Sequence, residues 1–195
     1  MQFHGRTNDT PLLAAGFVHW KTLSCVGHQE NRLLRNCGGQ KERRVLFGEL
    51  IESGRFQFVE KAKDWEDAIR ISCKPLIDEG IVLPAYADEI VAAVKEMGPY
   101  IVLMPGFCLP HATKDSANSL GTAIAFMKLA EPVPFSQDNR DKDATVFFTL
   151  AAKDSDEHLK NMRKLWKLLT NEELCADLLK VSSVEELKAL DEKYS

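Results

Sequence analysis

The chain lacks any long hydrophobic segment and any recognisable secretion signal. No apolar run approaches the ~20 residues that a helix needs to cross a bilayer, and the first residues do not have the charged, apolar and small-residue regions of a signal peptide. Five cysteines are scattered along the 195 residues without a Cys-x-x-Cys pair. This spacing argues against a disulfide framework or a zinc site and is typical of reduced thiols. These absences predict a cytoplasmic protein.

The sequence also lacks the motifs of several common protein classes. It has no Gly-x-x-x-x-Gly-Lys loop, which cradles phosphates in nucleotide-binding proteins, and no His-x-x-x-His pair of a helical metal site. The net charge of −4 is unevenly spread: residues 1–44 carry seven basic and three acidic side chains, whereas residues 45–195 carry 18 basic and 26 acidic ones. The acidic body argues against nucleic-acid binding as the main function.

The first 44 residues differ from the rest of the chain. They contain three of the five histidines and show no sustained helical or strand period. They can be interpreted as a basic docking arm or as an extension outside the fold. Periodic patterns begin near Val45, and the composition of 45% hydrophobic and 28% charged residues suits one domain with a real core. We therefore predict an extension at residues 1–44 and a single domain at residues 45–195.

Helical and strand patterns alternate beyond Val45. Apolar periodicity between capping residues and glycines predicts helices at Leu46–Ile51, Trp65–Ile77, from Pro84 to Gly98, from Asp154 or Ser155 to Leu169, at Glu172–Leu179 and at Val184–Leu190. Strands are predicted at Phe56–Val59, Tyr100–Met104, Thr122–Leu129 and Thr145–Leu150. Residues Glu131–Asp143, rich in proline and charge, are predicted to form an exposed loop. This alternation indicates an α/β fold whose sheet is covered on both faces.

Two of the helix starts carry capping signals. Asp64 is a predicted N-cap for the second helix, and Ser182 and Ser183 with Glu185 and Glu186 predict a capping box for the last one.

The segment from Tyr100 to Ala112 is the most informative in the chain, reading Tyr-Ile-Val-Leu-Met-Pro-Gly-Phe-Cys-Leu-Pro-His-Ala. An apolar run enters a loop that Pro105 and Pro110 stiffen, because proline fixes its own φ and biases the preceding residue to an extended conformation. His111 follows the second proline directly. A histidine held at a set point suits in-line reaction with a phosphorus atom. The alternative is a loop histidine that caps a strand end and does no chemistry.

This segment resembles the phosphorylation loop of enzyme IIA proteins in the mannitol/fructose superfamily of the bacterial phosphoenolpyruvate-dependent sugar phosphotransferase system. The resemblance rests on Gly-Pro-Tyr at 98–100, Leu-Met-Pro-Gly at 103–106 and Leu-Pro-His-Ala at 109–112, and it runs from near Val45 almost to the end of the chain. The first two elements look most like the ascorbate-type branch, from which Thr-Lys-Asp at 113–115 departs. The resemblance as a whole implies a mixed sheet of about five strands between helices.

The resemblance also implies a function. His111 would accept a phosphoryl group from phosphorylated HPr and pass it to a cysteine of enzyme IIB, while a membrane enzyme IIC moves the sugar, with ascorbate or a related pentitol or sugar acid as the expected sugar. It implies no ATP, metal or organic cofactor. Neutral imidazole is nucleophilic near pH 7, and nearby donors must stabilise the phosphoryl oxygens. Candidate hydroxyls follow at Thr113, Ser116 and Ser119, whereas Cys108 is interpreted as a small buried hydrophobe.

His158 is the second candidate residue. It lies a few positions into the predicted long helix, where unpaired N–H groups and the positive end of the dipole would favour an anion. Enzyme IIA proteins of this superfamily carry a similar Ala-Ala…Glu-His-hydrophobic segment whose histidine faces the phosphorylated one, and this implies a supporting role for His158. Lys95 stands where mannitol-type relatives have a phosphoryl-binding arginine; it can offer charge but no bidentate fork, and a solvated helix residue is the favoured interpretation.

Two other functions are compatible with the sequence. A regulatory enzyme IIA of the nitrogen type would use phosphorylation of His111 to switch protein binding, without sugar transport. A hydrolase would use His111, His158 and Asp115 as metal ligands, but the sequence offers no local ligand spacing for such a site.

Overall fold

The structure of the chain is a computed structural model that describes residues 46–112 and 116–194. The predicted extension at 1–44 and the candidates Thr113 and Asp115 lie outside the described residues. The helices are α1 (Leu46–Glu52), α2 (Trp65–Asp78), α3 (Ala85–Met97), α4 (Ser155–Leu169), α5 (Glu172–Leu178) and α6 (Val184–Tyr194), with a short 3-10 helix at Arg140–Lys142. Within these described ranges, every helix is too short or too polar to cross a bilayer.

Five strands form one mixed sheet. They are β1 (Phe56–Val59), β2 (Val102–Met104), β3 (Gly106–Cys108), β4 (Ala123–Pro134) and β5 (Asp143–Ala151), arranged in the order β1-β4-β5-β3-β2. Strands β1 and β4 are parallel, as are β3 and β5, whereas β4 and β5 pair antiparallel, as do β2 and β3. The predicted α/β fold with a mixed five-stranded sheet is confirmed.

Helices cover both faces of the sheet because successive strand side chains point in opposite directions. On β4, Ala125 and Met127 pack with α2 and α3, whereas Ile124 and Phe126 pack with α1, α4, α5 and α6. The two resulting cores confirm the expectation of a sheet covered on both sides. They also explain the nearly continuous apolar runs in β4 and β5, since every position of residues 123–129 and 146–151 is buried.

The N-terminal caps predicted for α2 and α6 are present in the structure. The Asp64 carboxylate accepts a hydrogen bond from the Asp67 N–H at 2.9 Å at the start of α2. Before α6, the Ser183 hydroxyl accepts from the Glu186 N–H at 3.3 Å, and the Glu186 carboxylate accepts from the Ser182 N–H at 2.7 Å. These bonds satisfy amide donors that the first turn of a helix leaves without an intrahelical partner.

The prediction of a plain loop between Pro105 and Pro110 is wrong, because Gly106–Cys108 forms β3. Gly106 has a φ of +86°, a left-handed conformation that glycine adopts without steric cost, and it lets the chain turn back from β2. Strand β3 then pairs with β2 on one side and with β5 on the other. The pairing with β5 is long-range, so local sequence carries little signal for it. At the other end of the predicted strand Tyr100–Met104, Tyr100 and Ile101 form a turn.

The prediction of an exposed loop at Glu131–Asp143 is wrong in part. Strand β4 continues through Pro134, and the side chains of Val133 and Phe135 are buried. The two apolar residues occupy alternate positions, a strand period that the neighbouring prolines and charges conceal. The segment after Phe135, which includes the 3-10 helix, is mostly exposed, as predicted.

Candidate functional site

The backbone around His111 is fixed by the sheet. The Leu109 N–H donates to the Ile101 carbonyl at 2.8 Å, and the Leu150 N–H donates to the Pro110 carbonyl at 2.9 Å. His111 itself forms an isolated parallel bridge with Leu150 near the end of β5. The predicted rigidity of this segment therefore has two sources, the prolines and the pairing with β5.

A buried tyrosine ties the other side of the loop. The Tyr86 side chain is 2% exposed, and its hydroxyl donates to the Leu150 carbonyl at 2.6 Å and accepts from the Ala112 N–H at 3.2 Å. One hydroxyl thus joins α3, β5 and the residue after His111. Sequence reasoning missed this role. The available signal was a tyrosine near the start of an apolar helix. Such a helix is expected to bury the side chain, and a buried phenol needs a hydrogen-bond partner.

The His111 imidazole is held in one tautomer. Its Nδ1 lies 2.7 Å from the Leu109 carbonyl oxygen, which can only accept, so Nδ1 carries the proton and Nε2 keeps its lone pair. The Tyr100 ring meets the imidazole edge-on, with ring centroids 5.6 Å apart and an interplanar angle of 85°. The Tyr100 hydroxyl is 3.4 Å from the His111 carbonyl oxygen.

The surroundings of His111 favour the neutral ring. Burial lowers the pKa of His111, the bond to the Leu109 carbonyl opposes this, and the neighbouring His158 lowers the pKa further. Since histidine normally titrates near pH ~6.5, the lowered pKa keeps Nε2 unprotonated at neutral pH. The arrangement presents a fixed, neutral nitrogen nucleophile.

His158 lies beside His111. The ring centroids are 5.5 Å apart, although 46 residues separate the two in sequence. The expectation of unpaired amides at the start of α4 is wrong for two of them, because the Asp154 carboxylate accepts from the N–H groups of Asp156 and Glu157 at 3.1 and 2.9 Å. Any help that α4 gives to an anion at His111 must therefore come chiefly from the His158 side chain.

The other sequence candidates lie in different contacts. The Ser116 hydroxyl donates to Glu89 of α3, which also accepts from the Asn118 amide at 2.8 Å. The Ser119 hydroxyl donates to the Gly121 carbonyl at 3.2 Å. The Ser116 proton is thus bonded to α3 and the Ser119 proton to the loop that follows His111. Glu89, which sequence reasoning missed, holds that loop through Ser116 and Asn118.

Lys95 and Cys108 make contacts that suit structural roles. The Lys95 ammonium is 2.8 Å from a carboxylate oxygen of Glu66 on α2, which favours its interpretation as a solvated helix residue. Cys108 is buried at the end of β3, and burial raises the pKa of its thiol well above the usual range. A buried protonated thiol is a poor nucleophile, as expected of a small core residue.

Across residues 46–112 and 116–194, no group of three or more His, Cys, Asp or Glu side chains is placed to hold a metal ion. Asp115, the third member of the hypothetical metal set with His111 and His158, lies outside the described residues.

Comparison with known proteins identifies a family. Residues 49–193 match the family model described as "Phosphoenolpyruvate-dependent sugar phosphotransferase system, EIIA 2". The chain is 32% identical over 129 residues to the mannitol-specific cryptic phosphotransferase enzyme IIA component of Escherichia coli K12, an alignment covering 66% of this chain and 86% of that protein. It is 31% identical over 113 residues to the ascorbate-specific PTS system EIIA component of Shigella flexneri, covering 58% of this chain and 72% of that protein.

Solved structures share the fold. The solution structure of the mannitol-specific cryptic enzyme IIA from Escherichia coli has a TM-score of 0.66 at 29% identity, covering 76% of this chain and 99% of that one. The complex of enzyme IIA mannitol with phosphorylated enzyme IIB mannitol, also from Escherichia coli, gives a TM-score of 0.60 at 26% identity, covering 71% of this chain and 94% of the matched chain.

Proposed function

The chain belongs to the EIIA type 2 family of the phosphoenolpyruvate-dependent sugar phosphotransferase system, and we propose that His111 is the residue that carries its phosphoryl group. The chain is thus a phosphotransferase component for sugar uptake. The observation that carries the assignment to His111 is its ring geometry: Nδ1 is bound to the Leu109 carbonyl at 2.7 Å, and Nε2 is left as the nucleophile.

The proposed reaction consists of two displacements at phosphorus. In the first, the Nε2 lone pair of His111 forms an N–P bond while the N–P bond of a donor phosphohistidine breaks, and the donor imidazole leaves. In the second, a thiolate of an acceptor cysteine forms an S–P bond while the Nε2–P bond breaks. The proton stays on Nδ1, hydrogen-bonded to the Leu109 carbonyl, throughout both displacements, so the nucleophile needs no separate base.

His158 is the proposed supporting residue. Its ring lies beside that of His111, so a proton on His158 can donate to a phosphoryl oxygen as charge develops there. A positive charge on His158 lowers the pKa of His111, so the pair disfavours the state in which both rings are charged.

The proposed partners are phosphorylated HPr as donor and an enzyme IIB as acceptor, with a membrane enzyme IIC moving the sugar. The enzyme IIA mannitol that forms a complex with phosphorylated enzyme IIB supports an acceptor of this class. The proposed sugar is ascorbate or a related sugar acid or pentitol. It rests on the Gly-Pro-Tyr and Leu-Met-Pro-Gly elements together with the ascorbate-specific relative, and the mannitol-specific relative of similar identity names the competing substrate.

The test of the site is phosphorylation of the full chain with phosphoenolpyruvate, enzyme I and HPr. We expect one acid-labile phosphate, with the ³¹P resonance of an Nε2-linked phosphohistidine, and complete loss of labelling in His111→Ala without a large loss of stability. Labelling that survives His111→Ala, or a phosphate linked through Nδ1, would refute the proposed geometry.

The test of the substrate is transfer from the phosphorylated chain to purified enzyme IIB proteins of the ascorbate and mannitol types. Faster transfer to the ascorbate-type protein is expected. Faster transfer to the mannitol type would reassign the sugar, and transfer to neither would favour the regulatory function that the sequence leaves open.

A further inference from the structure

A polar groove lies beside the middle of the sheet, away from His111. It has a volume of about 440 Å³ and is formed by the end of β1, the middle of β4 and the link between α5 and α6. We call it the Lys128 groove; its lining residues are Phe58, Val59, Glu60, Lys128, Ala130 and residues 179–182. A groove of this size falls within the range of small-molecule sites, roughly 300–1,000 Å³.

The groove is separate from the phosphorylation site. Ile124 of β4 pairs with Leu150, the residue that bridges to His111, whereas Lys128 pairs with Val146. Four strand positions at ~3.3 Å each place the two levels about 13 Å apart along the sheet. A ligand in the groove would therefore not contact a phosphoryl group on His111.

Lys128 is the unusual member of the lining. It projects from the middle of β4 and is only 7% exposed. Within residues 46–112 and 116–194 its ammonium has a single partner, the Leu129 carbonyl oxygen at 2.7 Å, and it forms no ion pair with a described carboxylate. An ammonium carries three N–H donors, so two of them have no protein acceptor among the described residues.

This arrangement is costly unless something else completes it. Burial of a charge without a counter-charge disfavours its charged form, and burial lowers the pKa of Lys128. The other charged residues lining the groove are Glu60 and Lys180, both exposed, and Glu60, the one carboxylate among the lining residues, forms no ion pair with Lys128. The nearby Glu186 carboxylate accepts from the N–H and hydroxyl of Ser182.

We propose that the Lys128 groove binds a small organic oxyanion, a carboxylate or phosphate whose oxygens accept the two remaining Lys128 N–H donors. Lys180 supplies a second positive charge at the rim. Phe58 and Leu179 line the groove with apolar surface for the rest of the ligand, and the Leu179 side chain is 40% exposed there. Charge-assisted hydrogen bonds from a desolvated ammonium give the site its preference for an oxyanion over chloride.

The experiment is an NMR titration of the ¹⁵N-labelled full chain with sodium phosphate, sodium acetate and sodium butanoate, with sodium chloride at matched ionic strength as the control. We expect saturable shifts of the amides of Lys128, Ala130, Val181 and Ser182 with an oxyanion and not with chloride. Butanoate should bind about fifteenfold more tightly than acetate, because it has two more methylenes and each buried methylene contributes roughly fourfold in affinity. The tighter of phosphate and acetate identifies the head group.

Three variants sharpen the test. Lys128→Met keeps the length of the side chain and removes the charge, so it should abolish saturable binding while leaving phosphorylation at His111 intact. Lys180→Gln at the exposed rim should weaken binding severalfold without disturbing the fold. Lys142→Met is the matched control, since the Lys142 ammonium also donates to a backbone carbonyl, that of Val102 at 3.0 Å, outside the groove. Non-saturable shifts with every oxyanion, or binding that Lys128→Met leaves unchanged, would overturn the proposal.

Discussion

His111 and Lys128 lie at two levels of one sheet, about 13 Å apart along the strands, and share two features. Each donates an N–H to a backbone carbonyl at 2.7 Å, and burial lowers the pKa of each. Their side chains make the outcome different. A neutral His111 can donate from Nδ1 and present a lone pair on Nε2 at the same time, whereas Lys128 has a single nitrogen whose charged form is stabilised by an anion. Burial beside a backbone carbonyl thus favours a covalent reaction at His111 and ligand binding at Lys128.

The two side chains differ in how many parts of the protein hold them. Tyr86, β5 and the Leu109 carbonyl hold the His111 segment from three directions. Such fixation suits a group that must meet phosphorus in line. Lys128 has one protein partner and opens onto a groove, which suits a group completed by an exchangeable molecule.

The largest expected effect comes from replacing His158, the neighbour of His111. His158→Ala should keep the fold and slow phosphoryl transfer to His111 by ~10²-fold, the usual contribution of one positioned donor to a transition state. Quenched-flow labelling from phosphorylated HPr measures the rate. Lys95→Ala is the control and should change it little, because Lys95 pairs with Glu66. Transfer at the wild-type rate in His158→Ala would leave His111 as the sole catalytic residue.

The next effect tests the fixation of the loop. Tyr86→Phe removes the hydroxyl bonded to Leu150 and Ala112, and a buried group left without a partner costs about 1–3 kcal/mol of unfolding free energy. Urea unfolding measures this change. Tyr100→Phe is the matched control, with an expected change within ~0.5 kcal/mol, because its hydroxyl makes only a long contact of 3.4 Å to the His111 carbonyl. Equal losses in the two variants would show that Tyr86 does not hold the loop.

A smaller effect concerns protonation. The pKa of His111 should lie below the usual value of about 6.5. Because the folded protein disfavours the charged ring, the stability that this group contributes is complete above pH ~6.5 and is lost as the pH falls towards the folded pKa. Imidazole Cε1–H shifts followed against pH give the value directly. His158→Gln should raise the His111 pKa towards normal, and a wild-type pKa above 6.5 would contradict the neutral-nucleophile geometry.

The sequence predicted the elements with strong local signals and missed those set by distant partners. Asp64 and Ser183 cap helices as expected because capping depends on residues three positions away. Strand β3 was missed because its main partner, β5, lies about 40 residues downstream and no local rule encodes that pairing. The long continuation of β4 to Pro134 was missed for a similar reason, since its partners lie on β5 across the turn.

The candidate site shows the same division. His111 was predicted from its proline-flanked loop, and His158 through resemblance to a family, because no local pattern brings together two residues so far apart. Lys128 gave no local signal of its burial, and Tyr86 gave only a weak one, a tyrosine near the start of an apolar helix. Both depend on which face of a doubly covered sheet or helix becomes buried, and that is decided by tertiary packing.

The smallest expected effect comes from deleting residues 1–44. The family match begins at residue 49 and the sheet and both its cores are built from residues 46–194, so the remaining chain contains His111, His158 and the Lys128 groove. We expect the 45–195 chain to fold, to accept phosphate from HPr at an unchanged rate, and to keep the amide shifts around His111 and the Lys128 groove. A ¹⁵N correlation spectrum and the labelling assay measure these outcomes together. Loss of phosphorylation with an intact spectrum would identify the basic segment as a docking arm for the donor, whereas a collapsed spectrum would make it part of the fold. Shifts confined to the Lys128 groove would show that the segment acts at that groove alone.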